Sequence, residues 1–234
     1  MEGSAAMSDI ESRQVERMRA VLDAQKAAFE RQRHRPLAER RNDIEKLETS
    51  VRERGEDLIK AVSADYGRRA PNETLIAEVS YLLACGRHAR KQLPRWMDAV
   101  PKPLEMTLKP GKAYVRREPK GVAGIVAPWN YPVQLALAPL IAALSAGCRA
   151  MIKPSEYTPR TAELLREIVE QLYSEDHVAV ITGGPEVAQA FTALPFDHLF
   201  YTGSTQIGRH VALAAAENLT PVTVELGGKS PAVV

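Results

Sequence analysis

Cysteine is nearly missing: Cys85 and Cys148 are the only two in 234 residues. Two thiols build neither a disulfide framework nor a cysteine metal cluster, and they fit a reducing, cytoplasmic setting. A charge excess of one sign is also missing. The formal net charge is +2, which argues against a dedicated nucleic-acid or polyanion binder. No apolar run is long enough to span a bilayer. The longest, 133–148, falls short of the ~18–20 residues required and is interrupted by Pro139. The start, 1–9, is small and polar with no apolar centre, so it reads as a flexible terminus and not as a targeting segment. His34, His88, His177, His198 and His210 stand at no metal-ligand spacing, so no metal is expected. The G-x-G-x-x-G fingerprint is absent. Gly228-Lys229-Ser230 is not a P-loop either, because Thr223 stands where that loop requires Gly and Pro231 leads into a strand-like run where a helix is required.

What is present is a core-forming composition, 45% apolar. The first hundred residues read as helices. Val15, Met18, Leu22, Gln25 and Phe29 advance by three and four, and Ile44, Leu47, Val51 and Leu58, Ile59, Val62 continue the pattern after Pro36. Leu75, Val79, Leu82 and Leu83 mark a further helix, with Cys85 expected to be buried beside it. Pro94, Pro101 and Pro103 are expected to end helical structure. Arg31, Arg33, Arg35, Arg40 and Arg41, interleaved with Glu30, Glu39, Asp43 and Glu45, read as a solvated helix face. Segments 106–109 and 113–116 around Pro110-Gly111 read as a β-hairpin, too small to be stable alone.

From Gly121 onward strand and helix alternate. Strands are expected at 122–127, 150–153, 178–181, 198–201 and 221–225, with helices at 133–145, 161–173, 186–194 and 204–218. Such alternation implies an α/β fold, a doubly wound parallel sheet with right-handed crossovers. The expected organisation is a flexible start at 1–9, a helical part at 10–103, a hairpin at 104–118 and an α/β domain at 119–234.

In such a sheet, ligands bind beyond the carboxyl ends of the strands. The residues there are Asn130, then Lys153 and Glu156, then Gly183-Gly184-Pro185, then Gly203 and Ser204, then Glu225. Gly203-Ser204-Thr205-Gln206-Ile207-Gly208 leaves a strand and opens a helix, where backbone N–H groups and the dipole suit a phosphate; an ordinary N-cap by Ser204 or Thr205 reads the same residues equally well. Lys153 and Glu156 suit ribose hydroxyls, or else form a surface loop. Pro128-Trp129-Asn130-Tyr131-Pro132 is stiffened by a proline at each end. It holds Asn130 either as an oxyanion donor or as the closure of its own turn.

Pro-Trp-Asn-Tyr-Pro, Lys-Pro-Ser-Glu, Tyr-Thr-Gly-Ser-Thr-Gln-Ile-Gly and Glu-Leu-Gly-Gly-Lys-Ser-Pro, in this order, resemble the aldehyde dehydrogenase superfamily from about Val15 to Val234. Arg95-Trp96-Met97, the stretch Pro132-Val133-Gln134-Leu135-Ala136-Leu137, and Leu194-Pro195-Phe196-Asp197-His198 are most similar to bacterial coniferyl aldehyde dehydrogenases, akin to the dimeric class 3 enzymes. The resemblance implies NAD(P)-dependent oxidation of an aldehyde through a cysteine adduct and a thioester. Asn130 would stabilise the oxyanion and Glu225 would activate the hydrolytic water. Lys153 and Glu156 would hold the adenosine ribose. Gly203, Ser204, Thr205, Gln206, Ile207 and Gly208 would meet the pyrophosphate, and Gly184 and Pro185 would line the adenine pocket. Tyr131 and Gln134 would flank the substrate tunnel. Glu156 suggests NAD, with NADP possible, and the whole relative would be a homodimer bridged by the hairpin region. The family's nucleophilic cysteine lies past the last of these motifs, and neither Cys85 nor Cys148 matches it, so the chain is expected to be inactive alone. Tyr201 replaces the family's Phe. The alternative from another class is a non-catalytic dinucleotide-binding or interaction module.

Overall fold

The structure, a computed structural model, describes residues 9–228 and 230–233. The flexible start expected over 1–9 lies largely outside the described residues, and Asp9 already belongs to the first helix. Helices α1 (Asp9–Arg31), α2 (Leu37–Glu53), α3 (Gly55–Tyr66), α4 (Pro71–Thr74) and α5 (Tyr81–Met97) come first, with a π-helical segment, Leu75–Ser80, joining α4 to α5. On α1, Met18 and Leu22 are buried as the stripe predicts. The buried Gln25 amide donates to the carbonyls of Ala150 and Glu175 at 3.0 and 2.9 Å.

Three helical expectations need correction. The arginine-rich stretch is not a uniformly solvated face. Arg40 and Asp43 are buried, and Arg35 pairs with the Asp43 carboxylate at 2.5 Å. Pro94 does not stop α5, which runs on to Met97. Burial of Leu93 and the pairing of Arg90 with Glu45 and Glu48 of α2 hold the turn that the proline weakens. The Leu75–Leu83 stripe is rotated by the π turn, so that Leu75 and Ile76 are exposed while Glu78 is fully buried. Cys85, expected to be buried, is half-buried, and Cys148 is buried.

The hairpin also differs from its sequence pattern. Strand β1 (Val100–Lys102) pairs antiparallel with β2 (Ala113–Val115), and Met106–Leu108 is a single 3-10 turn. Leu108 and Lys109 donate back to Glu105 and Met106, and Gly111 donates to Leu108 at 2.9 Å. These local bonds consume the backbone groups that a strand over 106–109 would need.

The α/β part follows the expected rhythm. Its strands are β3 (Val122–Val126), β4 (Arg149–Lys153), β5 (Val178–Val180), β6 (His198–Gly203) and β7 (Val222–Leu226). The helices are α6 (Gln134–Ala146), α7 (Pro159–Leu172), α8 (Pro185–Thr192) and α9 (Thr205–Ala216). All five strands are parallel, in the order β5-β4-β3-β6-β7. One apolar core joins α2, α3, α5, α6 and α7 to one face of the sheet. A second joins α1, α8 and α9 to the other. Helices on both faces explain why the inner strands β3 and β4 are almost continuously buried.

At the end of the sheet away from the carboxyl rim, α2 meets the loop before β5. Tyr173 donates to the Asp43 carbonyl at 2.7 Å, and its ring lies edge-on to His177 at 5.4 Å. Burial first, then the guanidiniums of Arg35 and Arg149, hold the His177 imidazole down to about 3. The folded chain therefore keeps His177 neutral where the unfolded chain protonates it near pH 6.5. This stability is fully present above pH 6.5 and is lost as the pH falls towards 3, at up to about 1.4 kcal/mol per pH unit. Urea unfolding at pH 7 and pH 5 should show a smaller pH-dependent loss for His177→Gln than for the wild type.

Candidate functional site

Counting from β3, the chain winds outward through β4 and β5 on one side and through β6 and β7 on the other. The order reverses between β3 and β6, so the helices leaving these strands pass to opposite faces and open a crevice at the carboxyl edge. A groove of about 270 Å³ occupies this position. It is lined by Val126 to Trp129, Lys153 to Tyr157, Ala188, Tyr201 to Ser204 and Ile207. A more apolar cleft of about 650 Å³ adjoins it between α8 and α9. That cleft shares Val126, Glu156, Tyr157, Ala188, Tyr201 and Ile207 with the groove and adds Pro185, Gln189, Thr192 and His210 among others.

Lys153 ends β4 and is 1% exposed. A lysine is rarely this buried unless paired. Its Nζ donates to the Pro154 carbonyl at 2.8 Å and stands 3.6 Å from the Glu156 carboxylate. Burial lowers the ammonium's pKa, and Glu156 opposes that shift. Lys153 is thus a fixed donor on the groove wall, with a partly exposed carboxylate beside it.

Ser204 caps α9: its hydroxyl accepts the Ile207 N–H at 3.3 Å. The N-cap reading is realised, and the N–H groups of Thr205 and Gln206 remain at the open end of the helix. Backbone approach is close here. A Cβ on Gly203 would lie 2.7 Å from Tyr201 Cζ, and one on Gly208 would lie 2.7 Å from Leu226 Cδ2. Gly184 is the N-cap residue of α8, and Pro185 is its first residue.

Asn130 lies in the bend between β3 and α6 and is exposed. Its carbonyl accepts from Arg69 Nη1 at 2.5 Å, so it is the backbone, not the side chain, that fixes the turn. The Arg69 guanidinium lies between the rings of Tyr66 and Tyr131, at 5.0 and 4.4 Å, and the Tyr66 hydroxyl donates to the Trp129 carbonyl. Glu78 accepts the N–H groups of Val133 and Gln134 at 2.7 and 3.0 Å. Desolvation raises the Glu78 pKa, against the pull of these two bonds and of Arg69.

Glu225 lies on β7 opposite Thr202 in register, one residue beyond the level of Val126. At ~4.8 Å per strand it lies about 10 Å across the sheet from β3. Phe200 packs into the core on the α6 side, and strand alternation puts Thr202 and Glu225 on that same face. Thr202 Oγ1 is buried with no hydrogen-bond partner among the described residues.

The groove therefore unites Lys153, Glu156, Gly203, Ser204 and Ile207, while Pro185 joins through the adjacent cleft. Thr205, Gln206 and Gly208 lie in the first turn of α9. Asn130, Tyr131, Gln134 and Glu225 share the carboxyl edge but are not part of the groove lining. Arg69, Glu78 and Tyr66 escaped the sequence reading. The available signal was an acid, Glu78, falling between Val79 and the other apolar positions of a helical stripe.

Fold and rim together define an α/β protein of the doubly wound class. The chain belongs to the aldehyde dehydrogenase family, whose pattern it matches over residues 3–234. It is 42% identical over 221 residues to a probable coniferyl aldehyde dehydrogenase of Pseudomonas aeruginosa, covering 94% of this chain and 46% of that protein. It is 39% identical over 219 residues to the coniferyl aldehyde dehydrogenase of a Pseudomonas species, covering 94% and 45%. Among solved structures, a substrate-bound Staphylococcus aureus AldH matches with a TM-score of 0.88 and 36% identity, over 92% of this chain and 46% of that one. A Mycobacterium tuberculosis aldehyde dehydrogenase complexed with NAD+ matches with a TM-score of 0.82 and 32% identity, over 92% and 44%. The chain thus spans less than half the length of these relatives. Among the described residues, no helix is long and apolar enough to cross a membrane.

The close approach at Gly203 can be tested. Tyr201 is buried and cannot swing aside, so Gly203→Ala should destabilise the chain by about 1–3 kcal/mol in urea unfolding. Combined with Tyr201→Leu, it should cost clearly less than the sum of the two single changes.

Proposed function

We propose that this chain supplies the cofactor site, the oxyanion amide and the general base of an NAD-dependent aldehyde dehydrogenase acting on an aromatic, coniferyl-type aldehyde. The observation that carries this reading is the meeting of the buried Lys153, the Glu156 carboxylate and the open end of α9 in one groove at the switch point. The donor set fits the cofactor. Lys153 can donate to ribose hydroxyls and Glu156 can accept from them. The N–H groups of Thr205 and Gln206, with the helix dipole behind them, suit a pyrophosphate. Gly203 and Gly208 keep the backbone low there, while Gly184 and Pro185 lead into an apolar cleft suited to a purine. Glu156 disfavours a 2′-phosphate, hence NAD over NADP.

When bound, NAD accepts the hydride released from the substrate carbon. Asn130 presents an amide N–H to the oxygen that becomes anionic as a thiolate adds to the aldehyde carbon. Glu225 then takes a proton from the water that frees the acid. Tyr131 and Gln134 border the aldehyde's path. Cys148 is buried in the turn before β4. Cys85 faces a separate cavity of about 710 Å³ between α5 and α6, which does not include the rim residues. We therefore assign the nucleophilic thiol to a part of the protein outside this chain. The exposed β1–β2 ribbon we assign to subunit pairing in a homodimer.

Titration calorimetry of the chain with NAD should show saturable binding, weakened at least tenfold by Lys153→Met. Glu156→Gln should narrow the preference for NAD over NADP. Absence of NAD binding would overturn the reading. With the chain joined to its thiol-bearing region, Glu225→Gln should give one rapid equivalent of NADH per site and then slow acid release. Asn130→Ala should lower kcat by about a hundredfold to a thousandfold.

A further inference from the structure

We propose that Arg69 and Glu78 are the positioning pair that aims the Asn130 amide. This inference rests on the oxyanion role given to Asn130 above. The Asn130 side chain is exposed, so its direction has to come from the backbone beneath it. That backbone is fastened from one side by a single stretch of chain. Tyr66 holds the Trp129 carbonyl, Arg69 holds the Asn130 carbonyl and lies against the Tyr131 ring, and Glu78 holds the Val133 and Gln134 N–H groups. The prolines at 128 and 132 fix φ between these points. The bend is held along nearly its whole length while the amide above it stays free.

The way the pair is buried supports a purpose beyond packing. Glu78 is 0% exposed, and its second oxygen has no hydrogen-bond partner among the described residues. Arg69 Nη2 lies 3.9 Å from that oxygen. It also lies 3.1 Å from Glu73, without hydrogen-bond geometry, and Arg69 Nε is likewise unpartnered among the described residues. An incompletely satisfied buried ion pair stabilises less than an apolar packing of the same volume. Packing alone therefore does not account for the pair, whereas its hydrogen bonds do: those it makes go to the backbone at 130, 133 and 134. The π segment Leu75–Ser80 delivers Glu78 inward by under-winding the helix by one inserted residue, a distortion that recurs at functional sites.

A purely structural cap and a positioning pair differ in one readout. In the protein carrying both this chain and its thiol-bearing region, Glu78→Gln should lower kcat about tenfold to a hundredfold and leave the NAD dissociation constant within twofold. Arg69→Met should act in the same direction. In an Asn130→Ala background, neither change should lower kcat further, because the amide they aim is gone. A multiplicative loss in the double variants, or full kcat in the single ones, overturns the proposal. In this chain alone, amide exchange at Val133 and Gln134 should be slow and should quicken at least tenfold in Glu78→Gln. Unchanged exchange also overturns it. If exchange responds but the joined protein oxidises no aldehyde, the clamp stands and the reading of the reaction falls.

Discussion

Helix α6 carries no charged side chain, and both of its ends are answered by charges from elsewhere. Its sequence has neither an acid in the first turn nor a base in the last, and it is apolar almost all round. At its start the Glu78 carboxylate takes two of the orphan N–H groups. At its end Arg40 donates to the carbonyls of Ser145 and Ala146 at 3.2 and 3.0 Å. Negative charge at the N-terminus and positive at the C-terminus is the arrangement a helix dipole favours. The most buried helix of the domain therefore depends on residues 55 and 105 positions away in sequence. The N-terminal helices are accordingly part of the rim's scaffold.

Desolvation is handled differently along the two halves of that rim. On the groove side, Lys153 is buried, yet its carboxylate neighbour is partly exposed and one carbonyl is in direct contact. Such a group keeps donors for an incoming hydroxyl. On the loop side, Arg69 and Glu78 are both buried and spend their hydrogen bonds on backbone, while Trp129 and Asn130 stay exposed. One half keeps polar groups open to solvent and the other is held still.

The sheet was legible because buried parallel strands are short continuous apolar runs, as in β3 to β6, while the edge strand β7 shows instead the alternation Val222, Val224, Leu226. The strand ends were legible because polar residues following such runs have few structural reasons to be there. The hairpin misled for a local reason. Met106 to Lys109 has strand-like composition, but its backbone groups close on themselves before any partner can reach them. Pro94 misled because a proline near a helix end is outweighed when Leu93 and Arg90 are held by other elements. Arg69 and Glu78 were hidden because their partners lie 61 and 55 residues away, and no spacing rule connects an acid on one helix to the first turn of another. Arg40 was hidden in the same way among arginines that do face solvent.

The Gln25 clip sets a timetable for synthesis. Helix α1 leaves the ribosome well before the carbonyls its amide must reach, which follow 125 and 150 residues later. At ~5–20 residues per second, that is a wait on the order of 6–30 s. Until β3 and β4 follow, Met18, Val21 and Leu22 lack strand side chains such as Val122 and Met151 that share their core. The apolar ridge of α1 is thus completed late, and the delay grows whenever translation slows before β5.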